Sequence, residues 1–176
     1  MKFVTYIIFS LPILYFLYLV ILYFRSHVPF VTTARRYVPV IFKEVSITSH
    51  TVLFDLGCGK GDFLFEAEKY HPKELIGFEL SPLHVCYAWI KAKLIKSKVA
   101  FVCRDFFSAD ISRADMIYLF LVKPVLDKTW SKIKKECRTG TVVLTLADKI
   151  DGEKELKEIV LEPDNPQSRR VWVYQV

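Results

Sequence analysis

A chain of 176 residues, 52% of them hydrophobic, has room for one domain with a sizeable core and a short appendage. Its 25 Lys and Arg outnumber 19 Asp and Glu, but once Lys2 and Arg25 are set aside as flanks of the first apolar segment the balance is 23 to 19. That excess is too weak to argue for nucleic acid and suits an anionic membrane surface equally well. Cys58, Cys86, Cys103 and Cys137 form no CxxC pair and have no histidine at metal-ligand spacing. They argue against a zinc site and read as reduced, mostly buried thiols on the cytoplasmic side.

Residues 3–24, FVTYIIFSLPILYFLYLVILYF, contain no charge over 22 positions. About 20 apolar residues in a helix cross the hydrocarbon core of a bilayer, so a single-pass anchor over residues 1–25 is expected. Tyr6, Tyr18 and Tyr23 would sit at its interfaces, and Pro12 is tolerable inside it. The run is too long for a signal peptide and lacks a small-residue cleavage site. Arg25, Arg35, Arg36 and Lys43 follow the segment whereas Lys2 precedes it. That asymmetry places the rest of the chain in the cytoplasm. Residues 26–49 form a basic, helical connector on the substrate side, and residues 50–176 the main domain.

Beyond the connector, short apolar runs alternate with helical patterns. Residues 51–56 (TVLFDL), 74–79 (ELIGFE), 99–104 (VAFVCR), 115–121 (DMIYLFL) and 141–147 (TVVLTLA) read as strands buried on both faces of a parallel sheet. Residues 61–70 read as a helix after a glycine turn. Residues 81–96 read as a second helix, with Ser81 as N-cap, Pro82 at its first position and Val85, Trp89, Ala92 and Ile95 on its core stripe. Residues 124–137 read as a third, with Leu126, Trp130, Ile133 and Cys137 inward. Residues 156–162 and 170–176 alternate like strands around the turn PDNPQS, a terminal antiparallel pair at the sheet edge. The order gives an open α/β sheet.

The turn DLGCGKGD, residues 55–62, is the most informative stretch. Gly57, Gly59 and Gly61 make the pattern G-x-G-x-G, which lacks the third glycine spacing of the dinucleotide fingerprint and the G-K-[ST] of a P-loop. Asp55, two residues before the first glycine, would repel a pyrophosphate and favour a ligand bearing positive charge. S-adenosylmethionine, with an ammonium and a sulfonium and no phosphate, is such a ligand. Glu79 ends the next strand, 18 residues after Gly61, where a carboxylate can accept ribose hydroxyls. Asp105 follows the third strand beside Phe106, placed to hold adenine. Each acid alone could merely cap a loop; three at consecutive strand ends beside a glycine turn point to a site.

These motifs, DLGCGKG, GFELSP and CRDFF, resemble those of the seven-strand, Rossmann-like methyltransferases that use S-adenosylmethionine. The resemblance implies an α/β Rossmann-like open sheet closed by a C-terminal antiparallel hairpin, here preceded by one N-terminal transmembrane helix. It also implies cofactor contacts at Asp55, Gly57, Gly59, Gly61, Glu79, Leu80, Asp105 and Phe106. VPFVTTARR (residues 28–36), after an apolar span, and the closing VWVYQV are similar to a narrower group. That group is the membrane-anchored protein-lysine methyltransferases of the adenine nucleotide carrier and the ATP synthase c-subunit. The sequence departs from the group at Lys60, where Asp is usual, and at LADK after the fifth strand, where a Phe-Pro element is usual.

The resemblance implies methyl transfer to a lysine of a membrane-associated protein, with no metal and no nucleic acid. The rivals are a lipid, quinone or other small acceptor at the membrane, and a non-catalytic protein that kept a cofactor fold. An acceptor channel is expected between the segment 29–33 and the end of the fourth strand, at Pro29, Phe30, Thr32, Phe120, Lys123 and Pro124, with Tyr118 and Trp172 as further aromatic candidates. No catalytic residue is assigned, because a desolvated lysine loses its proton without a dedicated base. His27, His50, His71 and His84 read as surface or structural.

Overall fold

The computed structural model describes the backbone of residues 2–176, and within the first helix the side chains from Ser10 onward. It divides into two compact units, Met1–Val31 and Thr32–Val176. The first unit holds helix α1, Lys2–Ser26, 25 residues long and continuous through Pro12. Among the described residues no helix is long and apolar enough to cross a membrane. The side chains before Ser10, and so the expected interfacial Tyr6, lie outside the described residues.

The second unit opens with α2, Tyr37–Glu44, an amphipathic helix that buries Tyr37, Val38, Ile41 and Phe42. Five parallel strands follow: β1 Val52–Leu56, β2 Glu74–Glu79, β3 Ala100–Cys103, β4 Met116–Leu119 and β5 Val142–Leu146. They are linked by α3 Asp62–Ala67, α4 Pro82–Ile95 and α5 Lys123–Glu136, and the chain ends in β6 Lys157–Val160 and β7 Arg170–Gln175. The sheet order is β3-β2-β1-β4-β5-β7-β6, with β7 antiparallel between β5 and β6. The terminal hairpin therefore forms the sheet edge, as expected. Every expected strand is present, each shortened by at least one residue at an end except β2. The helix expected over residues 61–70 tightens after Ala67 into a 3₁₀ turn, Glu68–Tyr70.

The chain winds from β1 outward through β2 to β3, then returns to place β4 on the other side of β1. Open α/β sheets bind ligands at such a switch point, outside the carboxyl ends of the strands. Asp55, Gly77 and Tyr118 are register partners across β1, β2 and β4, so all three face the same side. That face is covered by α2 and α3. Phe63 stacks on Tyr118 with ring centroids 3.7 Å apart, and Phe42 leans on Phe63 at 5.8 Å. The opposite face receives α5, whose Leu126, Trp130 and Ile133 are buried as expected, with Trp130 against Tyr174 at 5.7 Å.

Helix α4 corrects the sequence reading. Its buried residues are His84, Val85, Ala88 and Ala92, whereas Trp89 and Ile95, expected on the core stripe, are exposed. The helix is apolar nearly all round, so periodicity could not say which side met the sheet. The cysteines are a second correction. All four are free, but Cys86 and Cys103 are exposed and Cys58 alone is fully buried.

Gly77 supplies space rather than a turn. A Cβ there would lie 2.5 Å from Cys58 Sγ and 2.8 Å from Leu64 Cδ1, so the glycine turn and α3 are seated directly on β2. Gly77→Ala should destabilise the chain by about 1–3 kcal/mol through overpacking. The midpoint of denaturant unfolding measures it, and an unchanged midpoint would mean that the turn is free to lift.

Candidate cofactor site

The turn between β1 and α3 owes its shape to three residues with left-handed backbone, Gly57 at φ 97°, Gly59 at 54° and Gly61 at 78°, a region open to glycine and costly for other residues. It is pinned to the end of β2. The N–H groups of Gly57 and Cys58 both donate to the carbonyl of Phe78, at 2.9 and 3.0 Å, and Gly61 N–H closes the turn on Cys58 O at 2.8 Å.

Glu79 completes the pinning. One carboxylate oxygen accepts from Gly59 N–H at 2.9 Å and the other from Ser81 N–H at 2.8 Å. The acid expected to meet a ribose thus also ties the glycine turn to the first residues after β2. Ser81 in turn caps α4, its hydroxyl accepting from His84 N–H at 3.2 Å. A single carboxylate therefore sets the relation between two βα turns. Sequence spacing showed where it stood but not that its oxygens were already engaged.

Asp55 is buried at the base of this arrangement. Burial first, and then the facing Glu79 carboxylate, pushes Asp55 well above the usual carboxylate range. Burial also raises Glu79, although the N–H groups of Ser81, Gly59 and Leu80 pull it back. A buried carboxyl whose ionisation a neighbouring carboxylate discourages forms a site that a cation relieves. Among the described residues no cluster of His, Cys, Asp and Glu is arranged to hold a metal ion.

Asp105 lies beyond β3 and is exposed, its side chain accepting from Phe107 N–H at 2.9 Å to cap the 3₁₀ turn Phe106–Ser108. The two rings beside it, Phe106 and Phe107, lie 4.5 Å apart. Beyond β4, Phe120 is half-buried with the Arg169 guanidinium 5.4 Å from its ring centre. Lys123 is held by Asp127 and, at 3.2 Å, by Asp151. The hydrogen bond it donates to Asp127 is the main reason its pKa is raised, so it stays protonated. Pro124 occupies the first turn of α5. Thr32 is exposed in the second unit, while Pro29 and Phe30 belong to the first. Trp172 is half-buried, with Lys149 Nζ 4.9 Å from its ring centre.

Two contacts near the turn go beyond the sequence reading, which set the segment 29–33 near Tyr118 but named no bond between them. Thr33 and Tyr118 share a buried hydroxyl–hydroxyl bond of 2.8 Å, and burial raises the Tyr118 phenol strongly. Asp62, the first residue of α3, receives Arg35 at 2.7 Å and Lys91 at 2.9 Å. Burial works to raise Asp62, but these two hydrogen bonds prevail and hold it below its ordinary value. Both contacts join residues far apart in the chain, and neither has a local sequence signature.

His84 is buried, and burial together with the Lys60 ammonium pushes it down from 6.5 to about 4. A histidine held neutral stabilises the fold above its unfolded pKa, and that contribution drains away as pH falls from about 6.5 towards about 4. The raised carboxyls Asp55 and Glu79 act in the opposite sense, stabilising the acid side. Melting temperatures of wild type and His84→Gln from pH 7 to pH 4.5 separate them. The wild-type curve should fall more steeply, and parallel curves would show that His84 does not titrate with folding.

The order β3-β2-β1-β4-β5-β7-β6, with an acid-edged glycine turn at the switch point, is the architecture of the class I methyltransferases. Residues 55–155 match the ANTKMT methyltransferase domain, and the chain belongs to that family. Its cofactor is S-adenosylmethionine. A protein-lysine N-methyltransferase of Saccharolobus islandicus (strain REY15A) is 28% identical over 153 residues, covering 85% of this chain and 94% of that protein. Among solved structures, an RNA methyltransferase from Salinibacter ruber in complex with S-adenosyl-L-homocysteine superposes with a TM-score of 0.75 at 24% identity. It covers 83% of this chain and 94% of its own. The PH0226 protein of Pyrococcus horikoshii superposes with 0.63 at 16% identity, over 78% and 86%. At these identities the solved structures speak for the fold alone.

Proposed function

We propose that the chain is a membrane-anchored protein-lysine N-methyltransferase. The observation that carries the choice of acceptor is the similarity to the Saccharolobus protein-lysine N-methyltransferase, which runs across 94% of that protein's length. Bound S-adenosylmethionine supplies a methyl group already activated on a sulfonium, so the protein's work is alignment and exclusion of water.

The residues present fit that cofactor. Burial and the Glu79 carboxylate discourage ionisation of Asp55, and the methionine end of the cofactor brings a compensating ammonium. We assign Asp55 to that end, the backbone of Gly57, Gly59 and Gly61 to the turn around it, and Glu79 with Leu80 to the ribose. Asp105 and Phe106 take the adenine. On the acceptor side, Thr32, Phe120, Lys123 and Pro124 are the proposed channel residues of the second unit. The half-buried Phe120 ring would desolvate an incoming lysine and lower its pKa.

Anchoring is part of the same proposal. Its support is in the sequence, where residues 3–24 carry no charge over 22 positions, about the length that spans a bilayer. The flanking charges favour a cytoplasmic catalytic unit. Incubation of the full chain with methyl-labelled S-adenosylmethionine and enzyme-depleted membranes of its own host tests the acceptor. Label should enter protein. Label confined to the organic extract would replace lysine by a lipid or quinone acceptor.

A further inference from the structure

The outward face of α4 is apolar where a surface helix should be most polar. Leu83, Tyr87, Ile90 and Leu94, spaced four, three and four residues apart, are 51%, 49%, 57% and 78% exposed. They form one stripe about 16 Å long, opposite the buried Val85, Ala88 and Ala92. Isolated exposed apolar residues need no explanation, but a continuous row on one helix marks an interaction surface. From Ser81 to Lys98 the sequence contains no acidic residue, and Lys93, Lys96 and Lys98 are exposed beside and beyond the stripe. Lys91, on the other flank, is turned to Asp62.

We propose that this face of α4 rests on an anionic lipid surface, with the stripe among the acyl chains and the lysines among the headgroups. A convex apolar ridge edged by flexible cations suits the soft, negatively charged boundary of a bilayer. A second copy suits it poorly. Two-fold pairing through α4 would set its lysines against each other with no acid on the helix to meet them. The contact rests on the proposed anchoring by α1 to bring it near a membrane, and residues 27–31 alone separate α1 from the unit that carries α4. Such a contact would fix which way the carboxyl edge of the sheet faces relative to a membrane-embedded acceptor.

Cys86, exposed on the flank of the stripe, is a native probe. The full chain carrying Cys103→Ser is reconstituted into vesicles of phosphatidylcholine alone or with one-third phosphatidylserine. Alkylation of Cys86 by a charged, water-soluble maleimide is then timed. On the anionic vesicles the reaction should be about tenfold slower, and Ile90→Glu with Leu94→Glu should restore the faster rate. Equal rates on both vesicles, with the protein retained, would overturn the α4 contact while leaving the anchor intact. Protection that ignores lipid charge and grows with protein density would overturn it in favour of self-association. Protein washed from neutral vesicles but retained and protected on anionic ones would support α4 and sink the α1 anchor, whereas loss from both would sink both.

Discussion

Glu79→Ala should weaken S-adenosylmethionine binding by more than about a hundredfold, since hydrogen bonds to a charged acceptor are worth about 1.5–3 kcal/mol each and a ribose offers two. It should also lower the stability of the free protein. Removal of the carboxylate strips Gly59 N–H and Ser81 N–H of their acceptors, at a cost of about 1–3 kcal/mol for each group left unsatisfied. The structure makes it a mutant of the turn as well as of binding. Glu79→Gln separates the effects, because one amide oxygen can still accept from one N–H while the charge is gone. Calorimetric titration and thermal unfolding measure both. Wild-type affinity in Glu79→Ala would overturn the ribose assignment, and an unchanged melting temperature would overturn the pinning role.

Gly61→Ala should destabilise the chain by about 3 kcal/mol, from two sources. Its φ of 78° is costly for any residue with a Cβ, and that Cβ would lie 2.5 Å from the Phe101 ring and 3.2 Å from Phe65. Gly152 provides the control. Its φ is 74°, nearly the same, but nothing lies within 4 Å of its Cβ position, so Gly152→Ala carries the backbone strain of about 1 kcal/mol without the crowding. The difference between the two variants in denaturant unfolding isolates the packing of α3 against β3. Equal losses would mean that Phe101 swings away at no cost. The lost turn geometry should also reduce methyl transfer in Gly61→Ala and leave it intact in Gly152→Ala.

The sheet was legible because each buried strand is a short apolar run closed by a polar or glycine residue, as in TVLFDLG, and because its acids fall at strand ends. The candidate cofactor residues were proposed from the same kind of signal: Asp55, the three glycines and Glu79 follow from local spacing on successive βα units. What stayed hidden depends on contacts between distant segments. Gly77 looks like any strand glycine until Cys58 is seen above it, and Thr33 gives no sign that it meets Tyr118, 85 residues away. The inward face of α4 was read only in part, for a different reason: Val85 and Ala92 are buried as expected, Trp89 and Ile95 are not. A helix apolar on every side has no preferred stripe, and Ala88 and His84 took the core side beside the expected Val85 and Ala92. The bulky Leu, Ile and Trp that a hydrophobic count assigns to the core were left outside.

The most direct measurement compares membrane proteins from the host with the chain present, with it deleted, and with it restored as Glu79→Ala, each digested and examined by mass spectrometry for methylated lysine. The expected result is a methyllysine in a membrane-associated protein that disappears on deletion and does not return with the variant. An identical methyllysine pattern in all three, beside a purified chain that still binds S-adenosylmethionine, would contradict protein-lysine methylation and leave the cofactor site serving another acceptor.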